Sequence, residues 1–69
     1  MAINRPIDNA YYNKLIKRIE ELSLEMSVAL IDTDLTATAT LGVIYYNAAQ
    51  IEKWCEELQH ATDRDLTNL

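Results

Sequence analysis

The residues with the most chemical potential in this chain stand close together near its end: Cys55, Glu57 and His60, with Glu52 and Glu56 beside them. Glu57-Leu58-Gln59-His60 has the Glu-x-x-His spacing that carboxylate-bridged di-iron bundles take from two helices, with one more Glu from each of two others. Two copies of the chain would supply that set by symmetry, using Glu20, Glu21 or Glu25 as the extra carboxylates. The surrounding pattern argues against it. Cys55 and Leu58 continue an apolar stripe, which turns Glu57 and His60 outward, whereas metal ligands must converge inside a bundle. Cys55 is a nucleophile by residue type alone. A reactive thiolate needs a base or a positive neighbour, and Glu52, Glu56 and Glu57 oppose it. In the stripe it reads as a small hydrophobe. His60, the single histidine, falls near a helix C-terminus, where the dipole favours a cation. One glycine rules out a Gly-rich phosphate loop, and no Cys or His pair has zinc spacing. The expectation is a protein that is not an enzyme, with no catalytic residue, no metal and no cofactor.

The elements that position these residues are legible from spacing. Leu41, Ile44, Ala48, Ile51, Cys55 and Leu58 are separated by three and four residues in turn. Tyr12, Leu15, Ile19, Leu22, Met26 and Ala29 repeat that spacing upstream. Each set is one stripe of an amphipathic helix. Pro6 suits a first helical turn, and Asn4 or Asp8 is a candidate cap. Helix 1 is expected over about 6–31. Asp32-Thr33-Asp34 is the expected turn, because these side chains compete with helix for the local backbone. Thr33 or Asp34 would cap helix 2, expected over about 35–61, with a frayed polar tail over 62–69. The phase of the stripes supports a break. Helix 1's pattern carried forward misses helix 2's by one residue, which is about 100° of rotation. One long kinked helix is the alternative. Thr36 to Tyr46 has β-friendly composition, but no second strand-like run exists for it to pair with.

The expected fold is therefore all-α: a single-domain antiparallel hairpin that assembles into a four-helix bundle or higher oligomer. A 69-residue chain supplies roughly 3–5 kcal/mol from one core unless something staples it. One cysteine cannot make an internal disulfide, which leaves association. The seam predicted for it is Tyr12, Leu15, Ile19, Leu22 and Met26 against Leu41, Ile44, Ala48, Ile51, Cys55 and Leu58.

The apolar surface is wider than those stripes. Leu24, Val28 and Ile31 lie off the first, and Val43 and Tyr46 off the second. A helix that is apolar all round is a buried helix, so the half of the hairpin beside the turn is expected inside an assembly. Gly42, Ala39 and Ala49 would let backbones approach closely there. Leu24, Val28, Val43, Tyr45, Tyr46 and Tyr11 make up the expected partner or ligand surface, since Tyr suits surfaces with one dry end and one wet end.

Eleven acidic residues oppose six basic ones, a net charge of -5. Nucleic-acid binding needs clustered Lys and Arg; Lys14, Lys17 and Arg18 are followed directly by Glu20, Glu21 and Glu25. No nucleic-acid partner is expected. No apolar run approaches a membrane span, and the first nine residues lack the apolar core of a secretory signal. A lone thiol at an apolar position fits a reducing, cytoplasmic setting.

In length, helix count and seams the chain resembles the plasmid ROP proteins, helical hairpins that dimerise into four-helix bundles. That resemblance implies a dimeric architecture. It does not imply RNA binding, because the basic face is missing. The expected function is a small acidic protein–protein interaction module, working as a homo-oligomer, most simply a dimer, with another protein as partner. A regulator, inhibitor or chaperone encoded by a phage or plasmid fits. The alternative is a small-ligand binder with a site at the subunit interface lined by Tyr11, Tyr45 and Tyr46.

Overall fold

The computed structural model describes residues 7–68. Asn4 and Pro6, the candidate cap and first-turn proline, lie outside them. So do the rest of the lead-in and Leu69. Within that range the chain forms two helices, α1 (Asn9–Ile31) and α2 (Ala37–Thr67).

Asp8 caps α1, its carboxylate accepting the Tyr11 N–H at 3.1 Å. This satisfies one of the orphan donors of the first turn. No Gly or Pro interrupts the next 23 residues, and α1 ends at Ile31. Asp32 then does the work of stopping it. Its backbone is extended, its carboxylate accepts the Asp34 N–H at 2.9 Å, and its carbonyl accepts the Leu35 N–H at 3.3 Å. That is an Asx-type turn. Thr36 caps α2, accepting the Ala39 N–H at 3.1 Å, so the cap lies past both Thr33 and Asp34. The turn takes up Asp32 to Leu35, and Thr36 is the first hydroxyl-bearing residue after it.

The helices run antiparallel. Near the turn, Thr40 donates to the Ala29 carbonyl at 3.5 Å. At mid-length, Asn47 reaches Leu22. At the open end, Tyr12 reaches Asp65. Helix α2 continues six residues beyond Ala61 because its last turns still have something to pack on. Ala61 is fully buried, and Asp65 is tied to Tyr12. Thr62 and Thr67 return their hydroxyls to carbonyls one turn back.

The core is one narrow seam. From α1 it takes Leu15, Leu22 and Ala29, spaced seven apart, with Tyr12, Ile19 and Met26 half-buried beside them. From α2 it takes Asn47 and Ala61, with Thr40, Ile44, Ile51, Trp54, Cys55, Leu58 and Asp65 half-buried. Leu41 and Ala48 are exposed, Leu41 by 65 %. The hairpin contact of α2 thus runs along Thr40, Asn47, Trp54 and Ala61 on one side of Ile44, Ile51 and Leu58. The stripe Leu41, Ala48 and Cys55 flanks it on the other side. The reason is Asn47. Its amide donates to the Leu22 carbonyl at 3.1 Å and to Glu25 at 3.0 Å, and those bonds exist only if this edge of α2 turns toward α1. Gly42 has open space where a Cβ would stand, so no neighbour within the hairpin requires glycine there.

The rod measures 57 × 15 × 13 Å, with a radius of gyration of 16.6 Å. A compact chain of this length would have a radius of about 11 Å. Each helix therefore has one neighbour and leaves most of its girth to solvent.

Two outcomes follow for stability. Leu22 is only 1 % exposed; truncating such a residue costs about 2–5 kcal/mol, as much as a core of this size supplies. Leu22→Ala should lose most of its helical circular dichroism at 25 °C, while Leu24→Ala, at an exposed site, should keep it. At Asn47, an apolar residue of similar volume is expected to be neutral or stabilising, whereas removing the amide costs about 1–3 kcal/mol. Thermal melts should therefore rank Asn47→Leu at or above the native chain and Asn47→Ala below it.

Candidate interaction surfaces

The hairpin's two broad faces differ in chemistry. On one, α1 presents Lys14, Lys17, Arg18, Glu21 and Glu25, and α2 presents Lys53, Glu57, His60 and Arg64. Two shallow clefts record this juxtaposition. One runs between Lys14, Leu15, Trp54, Glu57 and His60, the other between Lys14, Lys17, Arg18, Glu21 and Trp54. The Arg18–Glu21 pair, 3.3 Å apart on one helix, is exposed and contributes little.

The opposite face is mainly apolar: no described Lys or Arg lies on it, and its carboxylates are Asp65, at the open-end groove, and Glu52. At its open end Ile7, Tyr12 and Ile16 meet Leu58, Thr62 and Leu66 across a groove of about 420 Å³. Helical phase continues the strip toward the turn through Ile19, Ser23 and Leu30 on α1 and Cys55, Ala48, Ile44 and Leu41 on α2. Ile7, Ile16, Leu30, Leu41 and Leu66 are all exposed there.

A second apolar area lies beside the turn, on the charged face. Leu24, Val28, Ala29, Leu35 and Val43 line a notch, with Glu25 and Asp32 at its rim. Of the residues expected to form the partner surface, Leu24, Val28 and Val43 meet in this notch. Tyr45 and Tyr46 stand on the outer surface of α2, 71 % and 68 % exposed, with ring centroids 5.4 Å apart and edge-to-face. Tyr11 is at the far end of the rod, so no single site within one chain gathers all three expected tyrosines.

Tyr11 and Tyr12 instead form a pair of clamps that close the open end. The Tyr11 hydroxyl donates to Glu57, and the Tyr12 hydroxyl donates to Asp65 at 2.5 Å. Nothing in their spacing announces these bonds, because the partners are 46 and 53 residues away. Both phenols have their pKa raised above the usual 10.0. The leading cause is the hydrogen bond to the carboxylate, followed by desolvation and by repulsion from the same carboxylate. Glu57 is thus engaged by Tyr11, while His60 is exposed and Cys55 half-buried. Among the described residues no group of three His, Cys, Asp or Glu converges as a metal site would require. No helix among them is long and apolar enough to cross a membrane.

Compared with known proteins, the chain matches no family model, no curated protein and no solved structure.

The clamps carry a pH dependence with a definite sign. A phenol whose pKa is raised in the folded state stabilises the fold below its unfolded pKa of about 10, and that stability is lost as pH rises through the folded value. The melting midpoint should fall as pH is raised above 10. Tyr11→Phe/Tyr12→Phe should start lower at pH 8 and show a shallower fall, since its remaining loss comes from other titrating groups.

Proposed function

We propose that this chain is a small acidic protein–protein interaction module, working as a homo-oligomer, of the kind that regulates, inhibits or escorts another protein. One observation carries the reading. Among the described residues, eleven large apolar side chains are more than a third exposed, against four apolar residues that are buried. Single exposed apolar residues are ordinary, but contiguous patches of them mark interaction sites.

The notch beside the turn is the proposed partner site. Its floor of Leu24, Val28, Leu35 and Val43 suits one or two apolar anchors from a partner helix. Glu25 and Asp32 at its rim, and the chain's net charge of -5, favour a partner that flanks those anchors with Lys or Arg. The charged face between Lys14 and Lys53 mixes both signs and offers no such selectivity.

A small-ligand role is the second reading, favoured by the groove at the open end. Its volume falls within the range of small-molecule sites. A stoichiometric co-purifying molecule in native mass spectra would favour it.

The partner site is tested by a photo-crosslinking amino acid placed at Val28, Val43 or Lys17 in the native host. One protein recurring at Val28 and Val43 and missing at Lys17 is the expected result. Equal labelling at all three positions, or none at the notch, would overturn the assignment.

A further inference from the structure

We infer that the apolar broad face is covered by a second copy of this chain, packed face to face to make a four-helix bundle; this deepens the homo-oligomer reading above and rests on it. In an antiparallel pair, equal rotation about each helix axis carries both helices toward the same side. On α1, rotating away from the buried stripe in one direction meets Tyr12, Ile16, Ile19, Ser23 and Leu30. On α2 the same direction meets Ile44, Leu41, Ala48, Cys55 and Leu66. The two rows therefore share one face, and the groove joining Tyr12 and Ile16 to Leu58 and Leu66 marks its open end. Ile16, Ile19 and Ser23, and Leu41, Ile44 and Ala48, keep the three-and-four spacing of a bundle seam; Tyr12, Ile19, Ile44 and Cys55 are half-buried at the hairpin's own contact, while Ile16, Leu30, Leu41, Ala48 and Leu66 are exposed. Leu41 and Ala48 make the point most clearly, because both are apolar, in phase and exposed.

The chain exposes 5672 Å², against about 4,400 Å² for a compact monomer of its mass. The face spans about 35 Å of α1 and about 46 Å of α2, each roughly 10 Å wide, or about 800 Å² in all. A standard stable interface removes about 800 Å² from each partner. One further hairpin is therefore enough to cover it.

Charge favours the same occupant. No described Lys or Arg lies on this face; Glu20 sits at its outer edge, Glu52 falls within about 20° of the phase of Leu41, and Asp65 already holds the Tyr12 hydroxyl. A partner chosen for its basic groups would find only Glu52 beyond that bond to pair with there. A second copy brings a surface equally poor in charge and keeps most of the like charges of both chains on the outside. Ser23 and Ala48, level with one another at mid-length, leave room for the helices to approach. The notch on the other face stays open in this arrangement, one per copy.

Sedimentation equilibrium of the full chain from about 1 to about 100 µM, a range over which mass action resolves a micromolar dimer, tests the inference. The expected mass at the upper end is twice the 7.9 kDa of one chain. Leu41→Lys should give a helical monomer, and Lys17→Glu on the charged face should remain a dimer. Alkylation of Cys55 in the native chain gives a second readout that needs no variant. Its rate should fall several-fold as concentration rises through the dimerisation midpoint. A native chain that stays monomeric at 100 µM with a cooperative melt, a Leu41→Lys chain as dimeric as the native one, or a Cys55 rate independent of concentration would each overturn the inference. Crosslinking at Val28 and Val43 could succeed under any of those results, so a failure of the dimer is distinguishable from a failure of the partner site.

Discussion

A helix with one neighbour can bury only one narrow stripe, and every other feature of this molecule follows from that limit. Leu15, Leu22 and Ala29 occupy the stripe of α1, and their girth of contact is fully used by α2. Ile19 and Met26 are half-buried beside it, and Ile16, Leu24, Val28, Leu30 and Ile31 find no cover within the chain.

Asn47 is the polar exception in that seam, and it decides the rotation of α2. Ile44, Ile51 and Leu58 would serve equally well with either flanking row. An amide that satisfies itself on the Leu22 carbonyl and Glu25 breaks the tie, since a buried amide without partners costs more than a displaced methyl group gains. The consequence reaches the surface. By drawing Thr40, Asn47, Trp54 and Ala61 toward α1, it leaves Leu41 and Ala48 outside and Cys55 at the edge, and so makes a second apolar row. A polar residue that specifies one pairing at some cost in stability is a recurrent device in helical seams.

The two ends of the rod are closed differently. At the turn, Asp32 and Thr36 act within a few residues of themselves, capping and reversing the chain through local backbone bonds. At the open end no covalent link holds α2 against α1, and Tyr11 and Tyr12 do that work through Glu57 and Asp65. The same tyrosines keep the last turns of α2 helical, together with Ala61 beneath them. Between those two closures the charged face runs from the open end to the apolar notch beside the turn.

Much of this was legible in the amino-acid sequence. Two stripes of three-and-four spacing separated by a one-residue slip, with Asp-Thr-Asp between them, determine two helices and a reversal, because helical period and local capping are near-neighbour physics. The inward direction of Leu15 and Leu22 and the excess of apolar surface beside the turn were determined in the same way. The tertiary structure alone decided the rest: which row of α2 meets α1, that α2 continues to Thr67, and that Glu57 and Asp65 receive phenols. Those outcomes depend on residues tens of positions apart in the chain being brought to one level of an antiparallel pair. Periodicity along one helix holds no information about its rotation against another. Only the competition between Asn47's hydrogen bonds and the burial of Leu41 and Ala48 settles that angle.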